Sequence, residues 1–387
     1  MRNLVCVILL LTAFFANAQA PDTLSDAAEI SVLTLGPHQN EVYSAFGHSA
    51  MRVYDPDQNF DYAFNWGVFD FDQPNFYLNF ARGRNFYMLG VRPYDIFRDY
   101  YIEKNRYIHE QTLNLTPSQV QRLYKYLLWN AQSENRSYRY DYFYDNCATR
   151  IRDVMVKVFG DSVKFDDSYI TTDYSIRELT DIYLIHQPWG DLGIDICLGL
   201  PMDKKAAPYE YMFLPDYIES SFDRASINGS PIVKEKTRVY ESRDQDYPRS
   251  LYHPLNVFIF IAVIALALSA WDFKRKKLST WFDAILFGAT GAIGLLLFLL
   301  WVATDHKAAA NNFNLLWALP TNLVAVIAFY KNPKWLKKYF FVTAVIAALT
   351  LVLWPILPQQ LNYFLVPFVV ALLVRALSQY RHRSRVS

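Results

Sequence analysis

Cysteine and histidine are scarce in this chain, three and seven in 387 residues, and charge of either sign is nearly balanced, 38 Lys and Arg against 37 Asp and Glu. So few cysteines exclude a disulfide-dense framework. No Cys–His spacing of the zinc-binding kind occurs, so neither a metal nor a cofactor is expected. A net charge of +1 offers no basic surplus for nucleic acid. What the chain has in quantity is apolar surface: 52% of its residues are hydrophobic, among them 28 Tyr, 28 Phe and 9 Trp.

The segment 1–20, MRNLVCVILLLTAFFANAQA, reads as a secretory signal peptide, with a basic residue, an apolar run and small residues before a cleavage point. Cys6 lies inside the apolar run, which argues against the protein being a lipoprotein itself. Its removal leaves Cys147 and Cys197. Residues 21–240 are charged and aromatic-rich and are long enough for one domain, 241–253 form a linker, 254–378 a membrane domain and 379–387 a basic tail.

Five apolar stretches of spanning length are expected, at 255–271, 282–303, 313–330, 339–357 and 361–377. The segments DFKRKKLST, KNPKWLKKY and QYRHRSRVS, after the first, third and fifth, are rich in Lys and Arg. By the positive-inside rule they are cytoplasmic, which puts residues 21–240 outside the inner membrane and the C-terminus inside.

Within the outer domain, GHSAMRVY and DYAFNWGVFDF around the turn DPDQN predict a hairpin of residues 47–54 and 61–71. The strand position opposite His48 then falls near Asn65 and Trp66. TPSQVQRLYKYLLWN predicts a helix from Thr116 to Asn130, with Thr116 as N-cap and Pro117 in the first turn. In YFYDNCATRIRD, Cys147 opens a second helix whose apolar stripe, Ile151, Val154, Met155 and Val158, ends near Gly160. A thiol at a helix N-terminus, with an imidazole in reach, becomes an acyl-transfer nucleophile when its pKa falls.

Cys147 and His48 are therefore the candidate nucleophile and base, with Asn65 as the group that holds the imidazole. The backbone N–H of Cys147 is an oxyanion donor, and Tyr43, Tyr144 and Asn146 are candidates for a second donor or an orienting group. Cys197 sits among apolar neighbours and reads as a core cysteine; a structural disulfide to Cys147 is the alternative. Asp305, His306, Asn311 and Asn314 flank the second and third spans and are candidate membrane-side substrate contacts, or a solvated interfacial loop. Arg82 and Arg84 meet a phosphate or, more plainly, solvent.

The order of histidine strand and then Asn-Cys helix resembles the circularly permuted NlpC-type papain-like hydrolases, which include lecithin–retinol acyltransferase. FGHSAMRVY, FNWGVFDF, YDYFYDNCATRIRD and the tail containing TDHKAAANNFNLLWALPTN resemble, more closely, the Lnb-type lipoprotein N-acyltransferases. The resemblance implies an α+β fold, a permuted papain-like domain followed by an all-α membrane domain of five helices. It implies transfer of a fatty acyl chain from a membrane phospholipid, through a Cys147 thioester, to the α-amine of a diacylated lipoprotein. Two other classes stay open: a membrane-anchored cysteine hydrolase (phospholipase or peptidoglycan amidopeptidase), and a non-catalytic membrane scaffold.

Overall fold

The structure, a computed structural model, describes residues 20–69, 72–248 and 250–386. The signal-peptide expectation, with Cys6, lies outside the described residues apart from Ala20.

A seven-stranded antiparallel sheet organises the N-terminal part. Its strands in chain order are β1 (Glu29–Leu35), β2 (His48–Asp55), β3 (Phe60–Val68), β4 (Phe86–Pro93), β5 (Ile108–Leu113), β6 (Ser137–Arg139) and β7 (Val233–Tyr240), and their spatial order is β7-β5-β1-β2-β3-β4-β6. The expected hairpin is β2–β3, with Met51 opposite Phe64 and Asp55 opposite Phe60. Strand alternation sorts the apolar residues between two faces. Ile30, Val32, Met51, Val53, Phe64 and Trp66 enter the main core, while Leu33, Leu35, Ala50 and Ala63 pack on the other side.

Helices cover both faces. Across the short helix α1 (Phe76–Ala81) the chain reaches α2 (Tyr94–Glu103), whose Tyr94, Phe97 and Tyr101 cover the smaller core. On the main face lie α3 (Pro117–Ala131), α4 (Cys147–Phe159) and, after α5 (Ile176–Leu184) and α6 (Pro188–Cys197), α7 (Pro215–Arg224). Thr116 caps α3 in a capping box with Gln119, an arrangement whose loss typically costs about 1 kcal/mol. Ile151, Val154 and Met155 of α4 are buried, and the helix ends at Gly160, whose φ is 57°.

The membrane region differs from the expectation in one element. Among the described residues four helices are long and apolar enough to cross a membrane: Pro254–Arg275 (α8), Thr280–Ala303 (α9), Trp335–Ile356 and Tyr363–Ser384. The expected third span, 313–330, is not a continuous helix: a 3-10 turn, Phe313–Leu316, precedes a short helix α10 (Asn322–Ile327). Pro320 between them lacks the N–H a continuing helix needs. Asn312 at the start of this segment bonds the backbone of Ile196 in the N-terminal part, and after the next helix, α11 (Trp335–Leu353), Gln359 bonds Leu198 on that same side. The last helix, α12 (Val366–Val386), runs on through residues expected as a tail.

Buried charge ties these helices together. Arg375 of α12, fully buried, holds Asp283 of α9 at 2.5 and 2.8 Å and Asp272 of α8 at 2.9 Å. Breaking such a buried pair by removing one partner typically costs about 3–5 kcal/mol. The N-terminal part is fastened to the membrane region in a comparable way. Arg177 pairs with Asp195 and Asp203, Asn362 donates to Asp191 and Asp195, and Gly199 lies so close to Ala310 that an added Cβ would stand 1.9 Å from the Ala310 carbonyl oxygen.

Candidate active site

Cys147 is the first residue of α4, and the residue before it secures the helix end. The Asn146 side-chain oxygen accepts from Ala148 N–H and Thr149 N–H, both at 2.9 Å, while its amide donates to the carbonyls of Tyr142 and Phe213, both at 2.8 Å. Asn146 is thus committed on every polar atom of its side chain to holding the helix start. Its position as N-cap follows from the ordinary preference for Asn there. The Cys147 N–H, at the first helical position, has no carbonyl four residues back to bond.

The second half of the site comes from β2 and β3. His48 opens β2 directly after Gly47, and its Nε2 bonds Oδ1 of Asn65 on β3. His48 stands beside the Cys147 thiol and favours its ionised form, and with Nε2 committed to Asn65 the ring nitrogen left for sulfur is Nδ1. Trp66, the neighbour of Asn65, faces the opposite way and donates its indole N–H to Asn130 at 3.0 Å. The Tyr101 ring of α2 stacks on the imidazole at 6.3 Å between centroids and 11° between planes.

Between these groups β3 bulges. Its pairing with β4 shifts register between Asn65 and Val68, and Gly67 within the bulge has φ 92°. A side chain there would be strained, and its Cβ would sit 3.6 Å from Cys147 Cβ and 3.8 Å from both His48 Cε1 and the Tyr140 ring. Gly67 keeps the space beside the sulfur open.

The electrostatics favour ionisation. Burial opposes a thiolate, but the neighbouring His48 charge, the His48 hydrogen bond and the N–H groups of Ser49 and Ala148 outweigh it, and Cys147 is held below the usual thiol range. Cys197 on α6 goes the other way, pushed up by burial. Both cysteines are free. Burial, and then the charge of Cys147, push the phenols of Tyr138 and Tyr140 well above their ordinary value, so at neutral pH both remain hydroxyls.

The other expected site residues fall in two places. Tyr43 is 68% exposed, on a 3-10 turn before β2, and Tyr144 is 44% exposed; the tyrosines that share the surroundings of the sulfur are Tyr101, Tyr138 and Tyr140. Their signal was only the general aromatic richness of the domain. Asp305 and His306 follow α9 and clasp the N-terminal domain. Asp305 takes Arg84 at 2.9 Å and Arg139 at 2.6 Å, and His306 Nε2 bonds the Phe80 carbonyl at 3.1 Å. Arg84 therefore makes an exposed inter-domain ion pair. Asn314 donates to the carbonyls of Asp195 and Ile196, whereas Asn311 is exposed with φ 52°.

No curated protein and no solved structure matches the chain. Two family models do: the Lnb N-terminal periplasmic domain over residues 21–181, and the Lnb transmembrane domain over residues 246–386. These two matches cover the cysteine and histidine domain and the membrane helices in the order found here, and the chain belongs to the Lnb family of lipoprotein N-acyltransferases, as a membrane protein with a periplasmic N-terminal part.

Proposed function

We propose that this protein transfers a fatty acyl chain from a membrane phospholipid, by way of a thioester on Cys147, to the α-amine of the N-terminal diacylglyceryl-cysteine of a lipoprotein. The observation that carries the reading is the contact of Cys147 with His48, itself bonded to Asn65, in a domain fastened to membrane helices. A permuted papain-like description of that domain is supported by the chain order of its histidine strand and cysteine helix.

In the first half-reaction the Cys147 thiolate attacks an ester carbonyl carbon of the phospholipid. The C–O bond breaks, and the departing lysophospholipid oxygen takes its proton from the His48 imidazolium. In the second, the amine attacks the thioester, His48 accepts the proton it loses, and the thiolate leaves as the amide forms. The Cys147 N–H stabilises the oxyanion in both steps, and the neutral phenols around the sulfur keep the site poor in competing negative charge. Water must be excluded while the amine enters, which separates a transferase from a hydrolase. The basic segments after the first span, before α11 and at the C-terminus are cytoplasmic on this reading, in the inner membrane.

The test uses full-length protein in detergent with phospholipid. Without acceptor, a fatty acyl adduct on Cys147 should accumulate, visible as a mass increase that hydroxylamine removes. A diacylated lipopeptide with a free α-amine should discharge it to an N-acyl product, and its N-acetylated form should not. Discharge at one rate whether or not a free amine is present would make the protein a hydrolase.

A further inference from the structure

Beside the cysteine site lies a cavity of about 560 Å³ between the N-terminal domain and the membrane helices. Tyr140 forms part of its wall and also stands against the Gly67 bulge next to Cys147. The opposite wall is the end of α9 and the loop after it, Trp301 to Lys307. Its charges are of both signs, Arg139 and Lys307 against Asp141 and Asp305.

Those charges are only partly spent. Asp305 receives Arg84 and Arg139 on Oδ2 alone, and Asp141 receives the Phe143 and Tyr144 N–H groups on Oδ1 alone. Among the described residues the second oxygen of each carboxylate takes no hydrogen bond, and Lys307 has no ion pair. Trp301 also lines a second cavity of about 320 Å³, whose walls include Leu200, Phe313, Leu315 and Leu316. A polar chamber with unspent charge of both signs thus lies beside an apolar trough, with Trp301 in the wall of both, at the end of a membrane-spanning helix, where lipid head groups meet hydrocarbon.

We propose that the polar cavity binds the head group of a zwitterionic glycerophospholipid, with the phosphate on Lys307 and Arg139 and the ammonium on Asp305 and Asp141, while an acyl chain lies in the trough past Trp301. This assignment rests on the acyl-transfer reading and names the donor that reading requires. A phosphate accepts charge-assisted hydrogen bonds from Lys and Arg. An anionic head group lacking an ammonium leaves the second oxygen of each carboxylate facing like charge. The diacylated acceptor carries an ammonium but no phosphate, so Lys307 distinguishes donor from acceptor.

Two measurements on the full-length protein test this. In the first, Cys147 acylation is followed without acceptor as phosphatidylethanolamine, phosphatidylglycerol or diacylglycerol is titrated. Phosphatidylethanolamine should be the best donor, and Lys307→Gln should raise its half-saturating concentration about tenfold, the usual consequence of losing one charge-assisted hydrogen bond. Leu316→Trp, which fills the trough, should weaken all lipid donors together. The half-saturating concentration of lipopeptide should be unchanged in Lys307→Gln. Equal use of diacylglycerol, a shift in the lipopeptide dependence, or an unaltered donor dependence in Lys307→Gln overturns the assignment. In the second, a photoreactive phosphatidylethanolamine is crosslinked to Cys147→Ala protein, which has no nucleophile. Labelling of residues 301–316 that Lys307→Gln shifts to about tenfold higher lipid concentration supports the site even if no thioester ever forms, in which case the acyl-transfer reading alone fails. Labelling unaffected by Lys307→Gln overturns the site and leaves that reading standing.

Discussion

His48 and Asn65 meet diagonally across the β2–β3 hairpin, with imidazole Nε2 bonded to the amide oxygen of Asn65. An amide oxygen accepts only, so Nε2 carries a proton and Nδ1 is left to exchange one with sulfur. Replacing His48 by Ala should lower the acylation rate about 10²–10⁴-fold, the usual contribution of a general base. It should also slow alkylation of Cys147 at neutral pH, because the thiol loses the groups that hold it below its ordinary range. Asn65→Ala should be milder, about tenfold or less, since the ring keeps its stacking against Tyr101. A His48→Gln protein that alkylates and turns over like the parent would remove His48 from the mechanism.

The two free cysteines sit in opposite environments, and their replacement should separate them cleanly. Cys147→Ala and Cys147→Ser should both abolish acyl transfer at unchanged expression. Cys197→Ala removes a thiol whose pKa burial raises, on a helix that packs against the membrane region, and should leave turnover within about twofold. Equal loss of activity from the two positions would indicate a disulfide that forms in the cell. Thiol counting on the purified protein provides the independent check.

The hairpin, the capped helix after Thr116 and the cysteine helix were legible because each carries local chemistry: alternating residues about a turn, an N-cap followed by Pro117, and an Asn before an apolar stripe. Apolar length alone does not report continuity, and so the segment 313–330 reads as a span although Pro320 and the polar contacts of Asn312 and Asn314 break it. Asp305 was recognisable as a polar residue at the end of a span. Its partners, Arg84 and Arg139, lie more than 150 residues away in sequence, and no local pattern couples them. The tyrosines around Cys147 were hidden for a different reason. In a domain so rich in aromatics, only the fold distinguishes Tyr138 and Tyr140 from Tyr43.

The junction between the two parts should make stability depend on pH. Burial, followed by the charges of Asp195 and Asp191, pushes the Asp181 carboxyl up to about 8, and burial followed by Asp195 pushes Asp191 up to about 7, against an ordinary 3.8. Arg177 offsets part of this at both residues. A raised folded-state pKa means that the native protein binds these protons more tightly than the unfolded chain. The stabilisation is complete below the ordinary carboxyl value and is lost as pH rises through 7 to 8. The Tm of full-length protein should therefore fall between about pH 5.5 and pH 8.5, and Asp181→Asn should flatten that dependence. A Tm that rises over this interval, or an Asp181→Asn slope equal to the parent's, contradicts the account.

Arg106 is the residue near the site that local sequence patterns gave least reason to notice. Its guanidinium is buried behind Tyr101, with the central carbon 4.7 Å from that ring's centroid, and Tyr101 in turn stacks on His48. Its Nε donates to the Gly36 carbonyl at 2.6 Å. Burial pulls its pKa down, while the phenols of Tyr101 and Tyr100 and the thiolate of Cys147 pull it back up. That attraction is reciprocal: a positive charge behind the stack stabilises the Cys147 thiolate. Arg106→Met preserves most of the side-chain stem and removes the charge. Its thiol titration, followed by the thiolate absorbance of Cys147, should move to higher pH, and alkylation at pH 7 should slow about threefold or more. Arg106→Lys should recover most of the thiol titration while losing the planar contact with Tyr101. A residue that serves packing alone would lower Tm in both variants and leave the thiol titration where it was, and that result would confine Arg106 to a structural role.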